Sequence, residues 1–315
     1  MTRPPSLAVG VAAIATALML APLAAQVPQV RRPADQVYRV GVEMVSLNVT
    51  VVDQKQQFLT DLDRQDFTVL EDGAKQEISY FTRTTLPIAL SLLLDTSASM
   101  EQRMTIAQDA AIGFARKLRA DDLAQIVDFD TGVEIRQAFT SDPAALETAI
   151  RGTTAGGSTS MYNALYISLK ELAKMQARSD DEVRRRAVVL LSDGEDTSSL
   201  VSFEEVLDLA KRSATTIYAI GLQSRDSATV KGFREAEFVL RQLAQETGGR
   251  AFFPQRVEDL AGVYGVIADE LASQYVLGYA SSNAKRDGAW RRLKVQVNRP
   301  GIATRSKRGY FAPAS

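Results

Sequence analysis

The chain of 315 residues contains no cysteine and no histidine. The first absence excludes disulfides, thiolate nucleophiles and Cys-based zinc sites. The second removes the commonest general base and the commonest nitrogen ligand of metals. Ser-His-Asp and Cys-His catalysis go with them, leaving carboxylate, hydroxyl and lysine chemistry. An excess of either charge is also missing. With 37 Lys+Arg against 38 Asp+Glu, the net charge is −1, so no overall field draws the chain to DNA, RNA or an anionic membrane. The remaining composition is ordinary, 45% hydrophobic and 24% charged, and a chain of this length can bury a core that folds without disulfides.

The one long uncharged run lies at the N-terminus. Arg3 supplies a positive start, Leu7 to Leu23 is rich in Ala and Leu, and Leu23-Ala24-Ala25 offers small residues for cleavage before Gln26. This is the pattern of an export signal over residues 1–25. The folded part is therefore expected outside the cytoplasm: periplasmic, secreted or at the outer cell surface, with no membrane insertion once the signal is removed. An uncleaved anchor is the alternative, although the run falls short of the ~20 residues of a spanning helix. No cysteine follows it, which excludes a lipoprotein anchor. Residues 26–36, with Pro28, Pro33 and paired arginines, read as a linker.

From residue 37 the texture is β. Val45, Leu47, Val49 and Val51 alternate with Ser46, Asn48, Thr50 and Val52, a period of two with one departure, at Val52. Phe67, Val69 and Glu71 lead into Asp72-Gly73, a hairpin signal, with the return expected through Ile78 and Phe81. Asp61, Asp63 and Asp66 lack the glycine and the closing glutamate of a calcium loop and read as solvated. Residues 86–273 then alternate strand and helix, which predicts a mostly parallel sheet with helices on both faces. Strands are expected at 88–94, 124–129, 133–138, 187–191, 216–220 and 250–253. Helices are expected near 103–118, 143–150, 161–175, 203–212, 235–247 and 257–273. Ser202 ahead of Glu204-Glu205, and Asp142-Pro143, read as helix starts; Gly248-Gly249 reads as a helix end. Arg184, Arg185 and Arg186 beside Asp180, Asp181 and Glu182 read as a solvated charged loop. Residues 223–234, polar and long for a connection, read as a functional surface loop or a simple insertion. After Ser273 the texture returns to β, at 274–280 and 290–297, with an Asp287-Gly288 turn and a terminal Gly309-Tyr310-Phe311. Strand material on both sides implies a β-sandwich-like domain, built from 37–85 and 274–315, into which 86–273 is inserted.

Three segments of that middle part carry the chemistry. The apolar run from Ile88 stops on Asp95, followed at two-residue steps by Ser97 and Ser99. In an open α/β sheet, ligands bind beyond the carboxyl ends of the strands. Oxygen-bearing residues at that point suit a hard cation such as Mg²⁺. Next comes a Gly-rich loop, Gly156-Gly157-Ser158, which leaves Thr159 near the start of a helix. The third is the run from Ala187 to Leu191, which ends in Ser192-Asp193-Gly194. Each piece alone could be no more than helix caps and turns.

Together Asp95-x-Ser97-x-Ser99, Thr159 and Asp193 resemble the von Willebrand factor type A domain and its metal-ion-dependent adhesion site, over roughly 86–274. The resemblance implies a doubly wound, Rossmann-like α/β fold. It implies that Ser97, Ser99 and Thr159 touch the metal directly while Asp95 and Asp193 act through water. The cation implied is Mg²⁺, with Mn²⁺ or Ca²⁺ as alternatives. Its open position, near Gly157, Ser158 and Gly194, would accept an Asp or Glu side chain from a partner protein. The elements Asp66-Phe67-Thr68-Val69-Leu70-Glu71-Asp72-Gly73 and Gln274-Tyr275-Val276-Leu277-Gly278-Tyr279 are similar to those of exported bacterial von Willebrand factor A-related proteins. This reading makes the chain an exported adhesion or protein-interaction module, not an enzyme. Two other readings stay open: a metal-assisted hydrolase of phosphate or acyl groups, and a structural envelope subunit whose metal only stabilises it.

Overall fold

The computed structural model describes residues 44–83, 86–177, 184–222 and 230–314. The expected signal and linker, the acidic run 180–182 and residues 223–229 of the polar loop lie outside the described residues. Strands β1 (Met44–Val52), β2 (Phe67–Glu71), β3 (Ala74–Gln76) and β4 (Ile78–Thr82) come first. The middle of the chain runs β5 (Ile88–Asp95), α1 (Met104–Ala115), β6 (Leu123–Phe129), β7 (Val133–Thr140), α2 (Pro143–Arg151), α3 (Met161–Ala177) and β8 (Arg185–Ser192). It continues through α4 (Phe203–Ser213), β9 (Thr216–Gly221), α5 (Val230–Thr247), β10 (Ala251–Phe252) and α6 (Leu260–Ser273). Then follow β11 (Tyr275–Ala280), β12 (Trp290–Val297), β13 (Ala303–Arg305) and β14 (Gly309–Phe311). Among the described residues, no helix is long and apolar enough to cross a membrane.

The middle strands form one six-stranded sheet in the order β10-β9-β8-β5-β6-β7. Every neighbouring pair is parallel except β7, which runs antiparallel to β6. All of β5 is buried, because helices cover both faces and a strand in that position needs side chains that tolerate burial on each side. Leu90, Leu92 and Leu94 face a core that includes Phe114 of α1 and Tyr264 and Ile267 of α6. Ala89 and Leu93 face the opposite core, with Leu165 and Leu169 of α3 and Leu243 of α5. The helix starts read from sequence are capped as expected. The Ser202 hydroxyl accepts the Glu205 N–H at 3.2 Å while the Glu205 carboxylate accepts the Ser202 N–H at 2.8 Å. Helix α5 begins at Val230, ahead of the expected 235.

The remaining strands form two antiparallel sheets, β13-β1-β11-β4 and β14-β12-β2-β3. They share one core, to which Leu47, Val49, Phe67, Val69, Tyr275, Leu277 and Val295 contribute. Strands from before and after the α/β part pair directly, β1 with β11 and β2 with β12.

Two expectations are corrected. Asp72 and Gly73 do turn a hairpin, with φ of +48° and +88° as a two-residue type I′ turn needs. Its return strand, however, is only Ala74–Gln76. Ile78 and Phe81 lie on β4, in the other sheet beside β11. The crossing brings Phe81 to 5.9 Å from Tyr275 and 5.9 Å from Phe67, so the aromatic burial outweighs a longer hairpin. The second correction concerns Arg185, expected on a solvated loop. It starts β8 and is 6% exposed. Its guanidinium donates to the carbonyls of Leu271 (2.8 Å) and Leu86 (3.1 Å) and to Gln274 Oε1 (2.9 Å). Burial pushes its pKa down to about 10. A local charge pattern cannot reveal that α6 ends against this strand.

Candidate functional site

From β5 the chain passes to β6 on one side and later to β8 on the other, so the strand order reverses between β5 and β8. A crevice opens beyond the carboxyl ends of strands at such a reversal. Asp95 is the last residue of β5, and Asp193 directly follows β8.

The turn after β5 is built by Asp95 itself. Its Oδ1 accepts the Ser97 N–H at 2.9 Å, and its Oδ2 accepts the Ser192 hydroxyl at 2.6 Å. The Ser97 and Ser99 hydroxyls lie 3.0 Å apart, and Ser99 donates to Asp193 Oδ1 at 2.7 Å. Asp193 Oδ2 accepts from the Arg103 guanidinium at 2.7 Å. The Gly-rich loop is stitched onto this turn: the Ala98 N–H donates to the Gly157 carbonyl at 3.1 Å, and the Gly156 N–H to the Thr96 carbonyl at 2.7 Å. Gly157 has φ of +72°, and a Cβ there would stand 2.6 Å from Thr131 Oγ1. Both the backbone angle and the space require glycine. The exposed Ser158 donates its N–H to the same Thr131 oxygen at 3.0 Å.

Thr159 is 6% exposed, just ahead of α3. Its N–H donates to Thr197 Oγ1 at 3.0 Å, and its carbonyl accepts the N–H groups of Thr197 (2.8 Å) and Ser198 (3.1 Å). A Cβ on Gly194 would lie 4.0 Å from Thr159 Oγ1, so the hydroxyl faces the backbone just after Asp193. The structure thus joins Asp95, Ser97, Ser99 and Asp193 in one hydrogen-bonded chain, with Ser192 bonded to Asp95 and Thr159 across Gly194.

The electrostatics of the group are lopsided. Asp95 and Asp193 are 1% and 5% exposed. Burial pushes the Asp95 carboxyl up to about 6, against hydrogen bonds from Ser192 and Ser97 that favour its charged form. Burial also raises Asp193, opposed by Ser99 and Arg103. Of the two buried carboxylates, only Asp193 is paired with a guanidinium, an arrangement short of positive charge. Among the described residues, no three or more Asp, Glu, His or Cys side chains gather as a metal site. A cation here depends on hydroxyls, and two carboxylates with three hydroxyls form an all-oxygen donor set that suits a hard divalent ion.

Two participants were not singled out in the sequence. Ser192 is the polar residue that ends an apolar strand next to Asp193, a signal that was available. Arg103 sits beyond the short turn after Ser99, and only the tertiary fold turns its side chain onto Asp193.

The family model of the von Willebrand factor type A domain matches residues 90–195, from within β5 to just beyond Asp193. Comparison with curated proteins gives no match. Among solved structures, a von Willebrand factor type A protein from Catenulispora acidiphila is 11% identical, with 88% of this chain and 76% of that chain covered, at a TM-score of 0.51. The vWF domain of a type V pili tip protein from Porphyromonas gingivalis is 15% identical, covering 59% of this chain and 95% of that one, at 0.46. Proximal thread matrix protein 1 from the mussel byssus, with a zinc-occupied MIDAS motif, is 16% identical, covering 60% and 49%, at 0.49. Residues 90–195 thus match the family model, and the six-stranded mixed sheet with its flanking helices has the fold of a von Willebrand factor type A domain, to which this chain adds two antiparallel sheets.

Proposed function

We propose that the chain is an exported protein-interaction module that binds an acidic side chain of a partner protein through a divalent cation. The observation that carries this reading is the group of hydroxyls and buried carboxylates at the strand-order reversal, with too little positive charge of its own. Ser97, Ser99 and Thr159 would hold the cation through their hydroxyls, while Asp95 and Asp193 would balance its charge. Mg²⁺ fits the all-oxygen set, and Mn²⁺ or Ca²⁺ could replace it. When bound, the ion supplies a position of strong affinity for a carboxylate oxygen, because neutral hydroxyl ligands leave its charge largely unquenched. Domains of this family typically mediate protein interactions, in keeping with that role.

The surroundings support a docking role. Ser99, Gly157 and Ser158 are exposed, so the site opens to solvent. The loop after Asp193 is pinned to the start of α3: Asp196 accepts the Tyr162 N–H at 2.8 Å, and Asn163 Oδ1 accepts the Leu200 N–H at 3.1 Å. That pinning presents Leu200, 94% exposed, as an apolar contact. Residues 37–85 and 274–315 would form the β-domain that carries the inserted domain 86–273, with residues 1–25 as the export signal.

The test is a binding assay with Asp- or Glu-bearing peptides and their Asn or Gln counterparts, in Mn²⁺ and in EDTA. Binding only of the acidic peptides, only with metal, and lost in Thr159→Ala is expected. Equal binding of the amide peptides would sink the reading. The Arg103 guanidinium competes with a cation for Asp193, so Arg103→Gln is expected to tighten Mn²⁺ binding about tenfold in calorimetric titration. Weaker binding in that variant would show that Arg103 supports the site instead.

A further inference from the structure

At the end of the sheet away from the candidate metal centre, a pocket of about 580 Å³ lies between the start of β8, the end of α4 and the loops around β14. Cationic side chains dominate its ionisable lining: Arg186, Lys211, Arg212, Lys285, Arg286 and Lys307, with no Asp or Glu among the lining residues. Two of these cations are already neutralised. Lys211 pairs with Glu246 at 3.1 Å, and Arg212 with Asp208 at 2.7 Å. Both lie in the last turn of α4, where cations also complement the helix dipole.

Arg186 and Lys307 differ. Among the described residues neither has a carboxylate within ion-pair distance, and each is half-buried. The Tyr310 ring lies 5.9 Å from the Lys307 ammonium. Burial, and then the like charge of Arg186, push its pKa down to about 8. Nor can it retreat easily, because the backbone at Ser306 and Lys307 is packed against the end of α5. A Cβ on Gly248 would stand 2.4 Å from the Lys307 nitrogen. Two neighbouring, half-buried cations without a counter-ion repel each other, and an anion that joins them relieves this.

We propose that this pocket binds a phosphate ester, with Arg186 and Lys307 as its phosphate ligands and Lys285 at its rim. Adjacent uncompensated cations call for a dianion. An Arg fork beside a Lys point charge matches the several oxygens of a phosphate. The volume far exceeds a bare phosphate and lies within the range of small-molecule sites, and Tyr310 and Phe311 give an organic body an apolar wall.

Calorimetric titration of the full chain in EDTA, so that no metal-bound phosphate contributes, tests this with three probes. They are inorganic phosphate, glycerol 3-phosphate, and phosphatidylcholine vesicles with and without phosphatidic acid. Saturable binding is expected. It should weaken about tenfold or more in Arg186→Gln and in Lys307→Met, and recover in Lys307→Arg. Without ligand, Lys307→Met should unfold at a higher temperature than wild type, since it removes an uncompensated charge. A response to glycerol 3-phosphate alone identifies a soluble ester, and a response to the phosphatidic acid vesicles a lipid headgroup. No binding of any probe at millimolar concentration, or binding untouched by both substitutions, overturns the proposal.

Discussion

Replacing Glu270 by Ala is expected to cost about 3–5 kcal/mol of stability, measured by urea unfolding. Glu270 is 0% exposed on α6. Its Oε1 accepts the hydroxyls of Thr50 on β1 and Tyr218 on β9, each at 3.0 Å, and its Oε2 pairs with Arg305 on β13. Gln274 extends the group, donating to Tyr218 at 3.1 Å and to Thr50 at 3.3 Å while accepting from Arg185 at 2.9 Å. One carboxylate thus ties the last helix of the α/β part to its own sheet and to two strands of the added β structure. Removing it leaves Arg305 and two hydroxyls without their acceptor. Most of the cost is that stranded polarity, so Glu270→Leu combined with Arg305→Met should recover a large part of it. A loss below about 1 kcal/mol for Glu270→Ala would mean that water replaces the carboxylate and that the junction is not sealed.

Gly249→Ala is expected to be as damaging, at about 3 kcal/mol or more, or to prevent folding. Gly249 closes α5 through its N–H to the Ala244 carbonyl at 2.9 Å, next to Gly248 at φ +84°. A Cβ at 249 would stand 2.0 Å from the Ile217 carbonyl oxygen and 2.7 Å from its carbon. Those are backbone atoms of β9, held in the sheet, and they cannot yield as a side chain would. Gly262→Ala in α6 is the internal control. A Cβ there meets nothing within 4 Å, and thermal unfolding should be unchanged or slightly improved. Equal effects at the two positions would refute the packing argument.

Much of this architecture was legible because its signals are local. The apolar run of β5 ending on Asp95, the Ser202 capping box and the Asp72-Gly73 turn each write their conformation into a few adjacent residues. The residues of the candidate site stood out for a related reason: strand ends, a glycine loop and a helix start have short signatures, and open α/β sheets bind ligands beyond their strand ends. What escaped depends on distant partners. Arg185 looks solvated from its neighbours, yet the end of α6 covers it. Phe81 looks like the second arm of a hairpin, yet Tyr275 draws it into the other sheet. The alternation along β1 left Thr50 on the outer face, where the structure buries it against Glu270. The pairing of Arg103 with Asp193 needs β5, β8 and α1 all in place before the two side chains meet.

The central claim is that Asp95, Ser97, Ser99, Thr159 and Asp193 form a cation site. Thermal unfolding of wild type and Asp193→Ala in EDTA and in rising Mg²⁺, Mn²⁺ or Ca²⁺ tests it most directly. For wild type, the midpoint should climb with metal, by an amount equivalent to about 2.7 kcal/mol at a hundredfold excess over the dissociation constant. In Asp193→Ala the metal-dependent climb should vanish, whatever the variant's starting midpoint. A wild-type midpoint unmoved by any of the three ions at millimolar concentration would contradict the account.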